Sequence, residues 1–137
     1  MKSFIMSFSL KGNETALRLR EACPEYEFRS ICLPDFGMES DRITADEPLL
    51  KWIETHFKTD DLLVFIGSVP NIVRLIAPYI RTKDADPGVI VMDEDAAYAV
   101  PVLAGREGDI KEHAAILAGK MGAAAVIPKS AGVKAGQ

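Results

Sequence analysis

Apolar residues in this chain gather into short runs separated by polar, glycine- and proline-containing stretches. The densest run, Leu62-Leu63-Val64-Phe65-Ile66, has no polar interruption and predicts a strand buried on both faces. Gly67-Ser68 breaks it. Val69, Ile72, Val73, Ile76, Ala77 and Ile80 then recur at i, i+3, i+4, i+7, i+8 and i+11, which lays one apolar stripe along a helix and leaves Arg74 on the opposite side. Ser68 stands at the N-cap of that helix. Pro70 is tolerated in the first turn, where its missing N–H has no partner to lose. Pro78 cannot donate to the carbonyl of Arg74, so the helix ends or kinks there.

The same pattern places the other elements. Ser3 to Ser9 predicts a first strand centred on Phe4-Ile5-Met6. Asn13 is placed to cap a helix running to about Ala22, with Ala16, Leu17 and Leu19 inward and Pro24 as its stop. Tyr26 to Leu33 reads as a strand and Pro34 to Arg42 as a loop. Thr44-Ala45-Asp46-Glu47 has capping-box spacing for a helix to about Lys58, with Leu49, Leu50, Ile53 and Phe57 inward. Gly88–Met92 and Tyr98–Leu103 are strands joined by the short stretch Asp93–Ala97, which favours an antiparallel hairpin. Pro101 puts the second strand at an edge or a bulge. Gly105 to Asp109 opens a helix to about Met121, with Ile110, Ala114, Leu117, Ala118 and Met121 buried and Gly122 as its stop. Ala123 to Ile127 is a last short strand, and residues 128–137 read as a flexible tail on a single domain spanning 1–127. Strands alternating with helices imply an α/β layered sandwich with a mainly parallel sheet, helices on both faces and one β-hairpin. In such sheets ligands meet the carboxyl ends of strands at helix N-termini, and the turns Gly67-Ser68 and Gly105 to Asp109 fit that role.

Composition narrows the function classes. A chain of 137 residues, 48% hydrophobic and 26% charged, can bury a core without disulfides or metals. A net charge of −4 argues against sequence-independent nucleic-acid binding, which needs a basic surface. Cys23 and Cys32 form no CxxC pair and lie far from both histidines, so two free thiols in a reducing cytoplasm are expected and a zinc site is not. Met1 to Leu10 is too short and polar for a leader or a membrane span. His56, near a helix end, reads as a surface residue, and His113 as packing at the border of a buried stripe.

Val73-Arg74-Leu75-Ile76-Ala77-Pro78, Lys83, Asp86-Pro87 and Val89-Ile90-Val91-Met92-Asp93-Glu94, followed by Val100 to Leu103, Gly105 to Gly108, a helix and Gly122-Ala123-Ala124-Ala125-Val126-Ile127, form an ordered series. Together they resemble the N-terminal domain of the CbiG cobalamin-biosynthesis family. The resemblance implies the anaerobic route to vitamin B12. Its members act on cobalt-precorrin-5A, a cobalt tetrapyrrole, opening a lactone and releasing acetaldehyde. They carry a middle segment and a C-terminal domain as well, so a partner chain bearing those parts, or a homo-oligomer, is expected to complete the pocket. No protein-bound cofactor or metal is implied, because the cobalt arrives in the corrinoid substrate. Departures are local: the family's Gly-His-Leu-Gly-Gly-Ala-Asn turn stands here as Gly105-Arg106-Glu107-Gly108-Asp109-Ile110-Lys111, and a Thr-rich stretch is replaced by Pro128-Lys129-Ser130.

A substrate rich in carboxylates needs cationic side chains and free amides. Arg74, Arg81, Lys83 and Arg106 supply the first, and the turns at Gly67, Ser68, Gly105 and Gly108 the second, with Asp86 in the same substrate-binding set. Asp93 and Glu94 are the carboxylates available as the catalytic base, though acidic residues also suit hairpin turns. The glycines equally suit ordinary strand-to-helix turns, and Asp86-Pro87 a turn start. A non-catalytic corrinoid-binding or interaction module remains the second reading.

Overall fold

The computed structural model describes residues 1–32 and 47–127. Six strands form one sheet: β1 (Ser3–Ser7), β2 (Arg29–Cys32), β3 (Leu62–Ile66), β4 (Gly88–Met92), β5 (Tyr98–Leu103) and β6 (Ala124–Ala125), in the order β2-β1-β3-β4-β5-β6. Strands β1 to β4 run parallel, β5 pairs antiparallel with β4, and β6 pairs parallel with β5. The helices are α1 (Leu10–Ala22), α2 (Glu47–Thr59), α3 (Val69–Ile76) and α4 (Ile110–Met121).

Side chains of the central strands alternate between two cores. Ile5, Leu62, Val64, Ile66, Ile90 and Met92 pack with Ala16 and Leu19 of α1 and Ala114, Leu117 and Ala118 of α4. Met6, Leu63, Phe65, Val89 and Val91 pack with Leu49, Ile53 and Phe57 of α2 and Ile72, Leu75 and Ile76 of α3. The chain is therefore the layered α/β sandwich its pattern predicts, with helices on both faces. The double-sided burial explains why β3 and β4 read as continuous apolar runs: every residue in both is buried.

Details differ from the pattern for physical reasons. The cap of α1 is Ser9, whose hydroxyl accepts from the Gly12 amide; Asn13 already lies inside the helix, and Leu17 faces solvent. On α3 the buried stripe is Ile72, Leu75 and Ile76, while Val73 and Ile80 are exposed. Both stripes share Ile72 and Ile76; the sheet covers the flank towards Leu75, where Tyr79, Val102 and Leu103 join the same core. Pro78 does stop α3, which passes into a 3₁₀ turn over Ala77–Tyr79. Pro101 falls at a bulge: Val89 faces Leu103 and Ile90 faces Pro101, so Val102 is the extra residue on β5. Strands β2 and β6 are shorter than predicted, and Tyr26 instead ends a 3₁₀ turn beginning at Pro24. The 34–42 loop, the capping-box residues 44–46, the Glu47 side chain and the 128–137 tail lie outside the described residues. No helix among the described residues is long and apolar enough to cross a membrane.

Candidate functional site

Strands β1, β3 and β4 end on one edge of the sheet at Ser7, Ile66 and Met92. The chain order reverses between β1 and β3, and α1 and α3 leave that edge on opposite faces, so a crevice position lies between their first turns. Gly67, Ser68, Asp93 and Glu94 all belong to this carboxyl edge.

The first turn of α1 holds the β4–β5 joint. Ser9 Oγ accepts from the Gly12 amide at 2.9 Å and donates to Glu94 Oε2. Thr15 Oγ1 donates to the Glu94 carbonyl at 2.5 Å. The Lys11 ammonium pairs with Asp95, which holds Lys11 above its ordinary pKa range. Buried Ser7 donates to Asn13 Oδ1 at 2.5 Å. Gly12 lets the turn sit this close, since an added Cβ would stand 3.0 Å from Ser9 Oγ. Within the joint the two acids differ. Asp93 Oδ1 accepts from the amides of Ala97 and Tyr98, both at 2.8 Å, and so shapes the turn, in which Ala96 has a left-handed φ of 56°. The Glu94 carboxylate meets the Ser9 hydroxyl and is half-buried. The Gly67 amide donates to the Met92 carbonyl at 2.8 Å, and Ser68 caps α3 by backbone position without a side-chain bond. The Gly67 amide is thus engaged within the sheet, while the Ser68 side chain is exposed at the edge.

The other sequence-chosen residues lie elsewhere. Asp86, Gly105 and Arg106 sit at the amino edge, in a joint beneath β3 and β4. Arg106 donates through Nε to Asp61 Oδ1 at 3.1 Å and through Nη1 to the Ala85 carbonyl at 2.7 Å, with Nη2 on the Asp60 carbonyl. Its amide donates to the Asp86 carbonyl at 2.9 Å. The Asp86 carboxylate, buried to 1% exposure, accepts from the Arg81 amide at 2.7 Å and from Arg81 Nε at 3.4 Å. A Cβ on Gly105 would stand 2.2 Å from the Pro87 carbonyl carbon, so glycine here serves the contact of two backbones. Burial pushes the Asp61 carboxyl up, but the Lys2 amide and the Arg106 guanidinium outweigh it and hold it below the usual carboxylate range. Gly108, with φ of 82°, and Lys83 are exposed in loops at this edge. Arg74 is exposed in the last turn of α3 and has no ion-pair partner among the described residues.

The substrate-binding set chosen from the sequence is therefore divided between two opposite edges of the sheet, with Arg74 exposed in the last turn of α3. Arg106, Asp86 and Arg81 are engaged in holding the chain to itself: the two guanidiniums donate to carboxylates and carbonyls, and the buried Asp86 carboxylate accepts from Arg81. Ser9, Lys11 and Thr15 escaped sequence reasoning. The signal was present in Ser9, which stands two residues beyond β1 and three before Gly12, but Asn13 after that glycine is an equally good cap by residue type.

The fold and its carboxyl-edge turns define a doubly wound α/β domain of the kind that meets ligands at a switch point. The family described as "Cobalamin synthesis G N-terminal" matches residues 51–131, well over half of the chain. A Salmonella typhimurium protein named cobalt-precorrin-5A hydrolase is 36% identical over 116 residues, covering 85% of this chain and 32% of that protein. A Priestia megaterium protein of the same name is 33% identical over 72 residues, covering 53% and 19%. A solved Sulfolobus solfataricus structure, described as a cobalamin biosynthesis protein G homolog, superposes with a TM-score of 0.70 at 22% identity, over 93% of this chain and 37% of that one. The chain belongs to the cobalamin synthesis G N-terminal family. It spans about a third of the Salmonella relative's length.

Proposed function

We propose that the chain works in vitamin B12 biosynthesis on cobalt-precorrin-5A, as the domain that opens the lactone and lets the two-carbon fragment leave as acetaldehyde in the anaerobic route. The observation that carries this reading is the 36% identity to a cobalt-precorrin-5A hydrolase across 85% of the chain. The carboxyl edge supplies the matching chemistry. Glu94 takes the proton from a water that adds to the lactone carbonyl; the ring C–O bond breaks and leaves a carboxylate and a hydroxyl. Loss of that hydroxyl's proton then allows the adjacent C–C bond to break, acetaldehyde departs, and the electron pair passes into the conjugated macrocycle. Glu94 suits this role better than Asp93, whose carboxylate oxygen is occupied by two amides of its own turn. Arg74, without an ion pair among the described residues, and the exposed Lys83 are cations available to peripheral carboxylates of the substrate.

A second reading, a corrinoid-binding module completed by a partner chain, is favoured by Arg106: it stands where the family pattern has a histidine and is locked into the amino-edge joint. Incubation with cobalt-precorrin-5A and trapping of acetaldehyde separates the two. Release that Glu94→Gln abolishes while the corrinoid spectrum still shifts on binding establishes the enzyme. Spectral binding without acetaldehyde establishes the module, and the absence of both overturns the corrinoid reading.

A further inference from the structure

Ser7 closes β1 at the carboxyl edge and is fully buried. Its hydroxyl donates to Asn13 Oδ1 at 2.5 Å. A buried hydroxyl that gave up this bond would leave its proton unpaired, so the Asn13 carboxamide is fixed with Oδ1 towards Ser7. Nδ2 is then the free end. The side chain is half-buried, and its two N–H groups meet no acceptor among the described residues. Asparagine is a poor helix former, and the capping task it suits belongs to Ser9. The helix by itself gives no reason for an asparagine at this position.

The carboxamide and the Glu94 carboxylate meet on one turn of α1. The Asn13 amide donates to the Ser9 carbonyl at 2.8 Å, which sets Ser9 and Asn13 one above the other along the helix surface. The Ser9 hydroxyl in turn holds Glu94 Oε2. A carboxylate that accepts protons and a neutral donor that does not titrate are thus neighbours at the switch-point edge. Lactone opening needs that pairing: a base for the water, and a donor where negative charge develops on the carbonyl oxygen. Other amides of this edge are already engaged. Gly12 donates to Ser9, Gly67 to Met92, and Ala97 and Tyr98 to Asp93. The amino end of the 13-residue α1 also favours negative charge.

We propose that Asn13 is a catalytic residue of the lactone opening, donating from Nδ2 to the lactone carbonyl oxygen; this rests on the reading of Glu94 as the base. Water gives its proton to Glu94, and its oxygen bonds to the carbonyl carbon. The carbonyl π pair moves onto oxygen, where the Asn13 N–H groups hold the oxyanion. When that pair returns, the ring C–O bond breaks, and the leaving oxygen takes the proton back from Glu94. The products are a hydroxyl and an acid that ionises in solution, and both side chains end as they began.

Acetaldehyde release from cobalt-precorrin-5A by the full chain tests it, with mass spectra of the quenched macrocycle. Asn13→Ala is expected to lower kcat about a hundredfold, the usual loss on removing one oxyanion donor, with KM little changed. The macrocycle that persists is expected to be the unopened lactone. Asn13→Asp keeps an oxygen for Ser7 and loses both donors, so it is expected to be as slow; it carries the test if the alanine variant does not fold. A carboxamide does not titrate, so Asn13→Ala is expected to lower kcat by the same factor at every pH and leave the limb of the base unmoved. Either variant turning over at the wild-type rate, while Glu94→Gln is inactive, overturns the role of Asn13 and leaves the base standing. A displaced limb in Asn13→Ala overturns it too, since the residue would then act by tuning Glu94. Release that survives Glu94→Gln, or none from the wild type, removes the base and this proposal together.

Discussion

Gly105 shows how much a single position can decide. Its α-carbon lies so close to the backbone of Pro87 and Gly88 that a methyl group cannot be placed without separating two segments of chain. Gly105→Ala is expected to cost more than about 3 kcal/mol, the class of effect reserved for backbone collisions and broken buried networks, read as a fall in the urea midpoint. His56 offers a second case. Expected at the surface, it is 14% exposed, its ring lies tilted against Trp52 with centroids 3.7 Å apart, and it is set 3.1 Å from Asp60 Oδ1, a carboxylate at 1% exposure whose other oxygen has no hydrogen-bond partner among the described residues. Removing the imidazole leaves that carboxylate without its basic neighbour, so His56→Ala should cost about 2–4 kcal/mol. Asp60→Asn in the same background should restore part of the loss; a double-mutant cycle by urea unfolding that finds the two changes additive would refute the coupling.

At the level of elements, the grip of α1 on the β4–β5 joint is the feature with most bearing on function. Ser9 both caps the helix and donates to Glu94, two tasks for one hydroxyl. Ser9→Ala should lower stability by about 1 kcal/mol through the lost cap. If Glu94 is the base, Ser9→Ala should also reduce kcat for acetaldehyde release, whereas Ser9→Thr, which keeps the hydroxyl, should restore it. What was legible at this scale follows from periodicity. Among the described residues the four α-helices and the central strands announced themselves through runs and stripes, because local spacing is what a helix or a sheet imposes, and the bulge on β5 through the missing N–H of Pro101, whereas the 3₁₀ turn at Pro24–Tyr26 did not. Flanks were less legible. Val73 and Leu75 are equally apolar neighbours of the same stripe, and only the placement of the sheet beneath α3 decides which is buried. The candidate site suffered most from this limit: residues close in sequence, such as Arg106 and the Asp93–Glu94 pair, are sent to opposite edges by the reversal of β5.

The whole molecule responds to pH partly through Asp61. Its folded carboxyl sits below the ordinary value, so it contributes stability that is present above the unfolded pKa near 3.8 and is lost as pH falls through the folded one. Wild type should therefore lose stability more steeply than Asp61→Asn below about pH 4, a difference measurable in thermal melts at a series of acid pH values; parallel slopes would remove Asp61 from the account. The same joint bears on how the chain is made. Lys2, Asp60, Asp61, Ala85, Asp86, Gly105 and Arg106 come from four distant stretches and meet at one seam under the sheet. Translation must run past residue 106 before that seam can be sewn. A nascent fragment halted at residue 100 lacks the guanidinium that meets Asp61 Oδ1 and the Asp60 carbonyl, and leaves both turned to water.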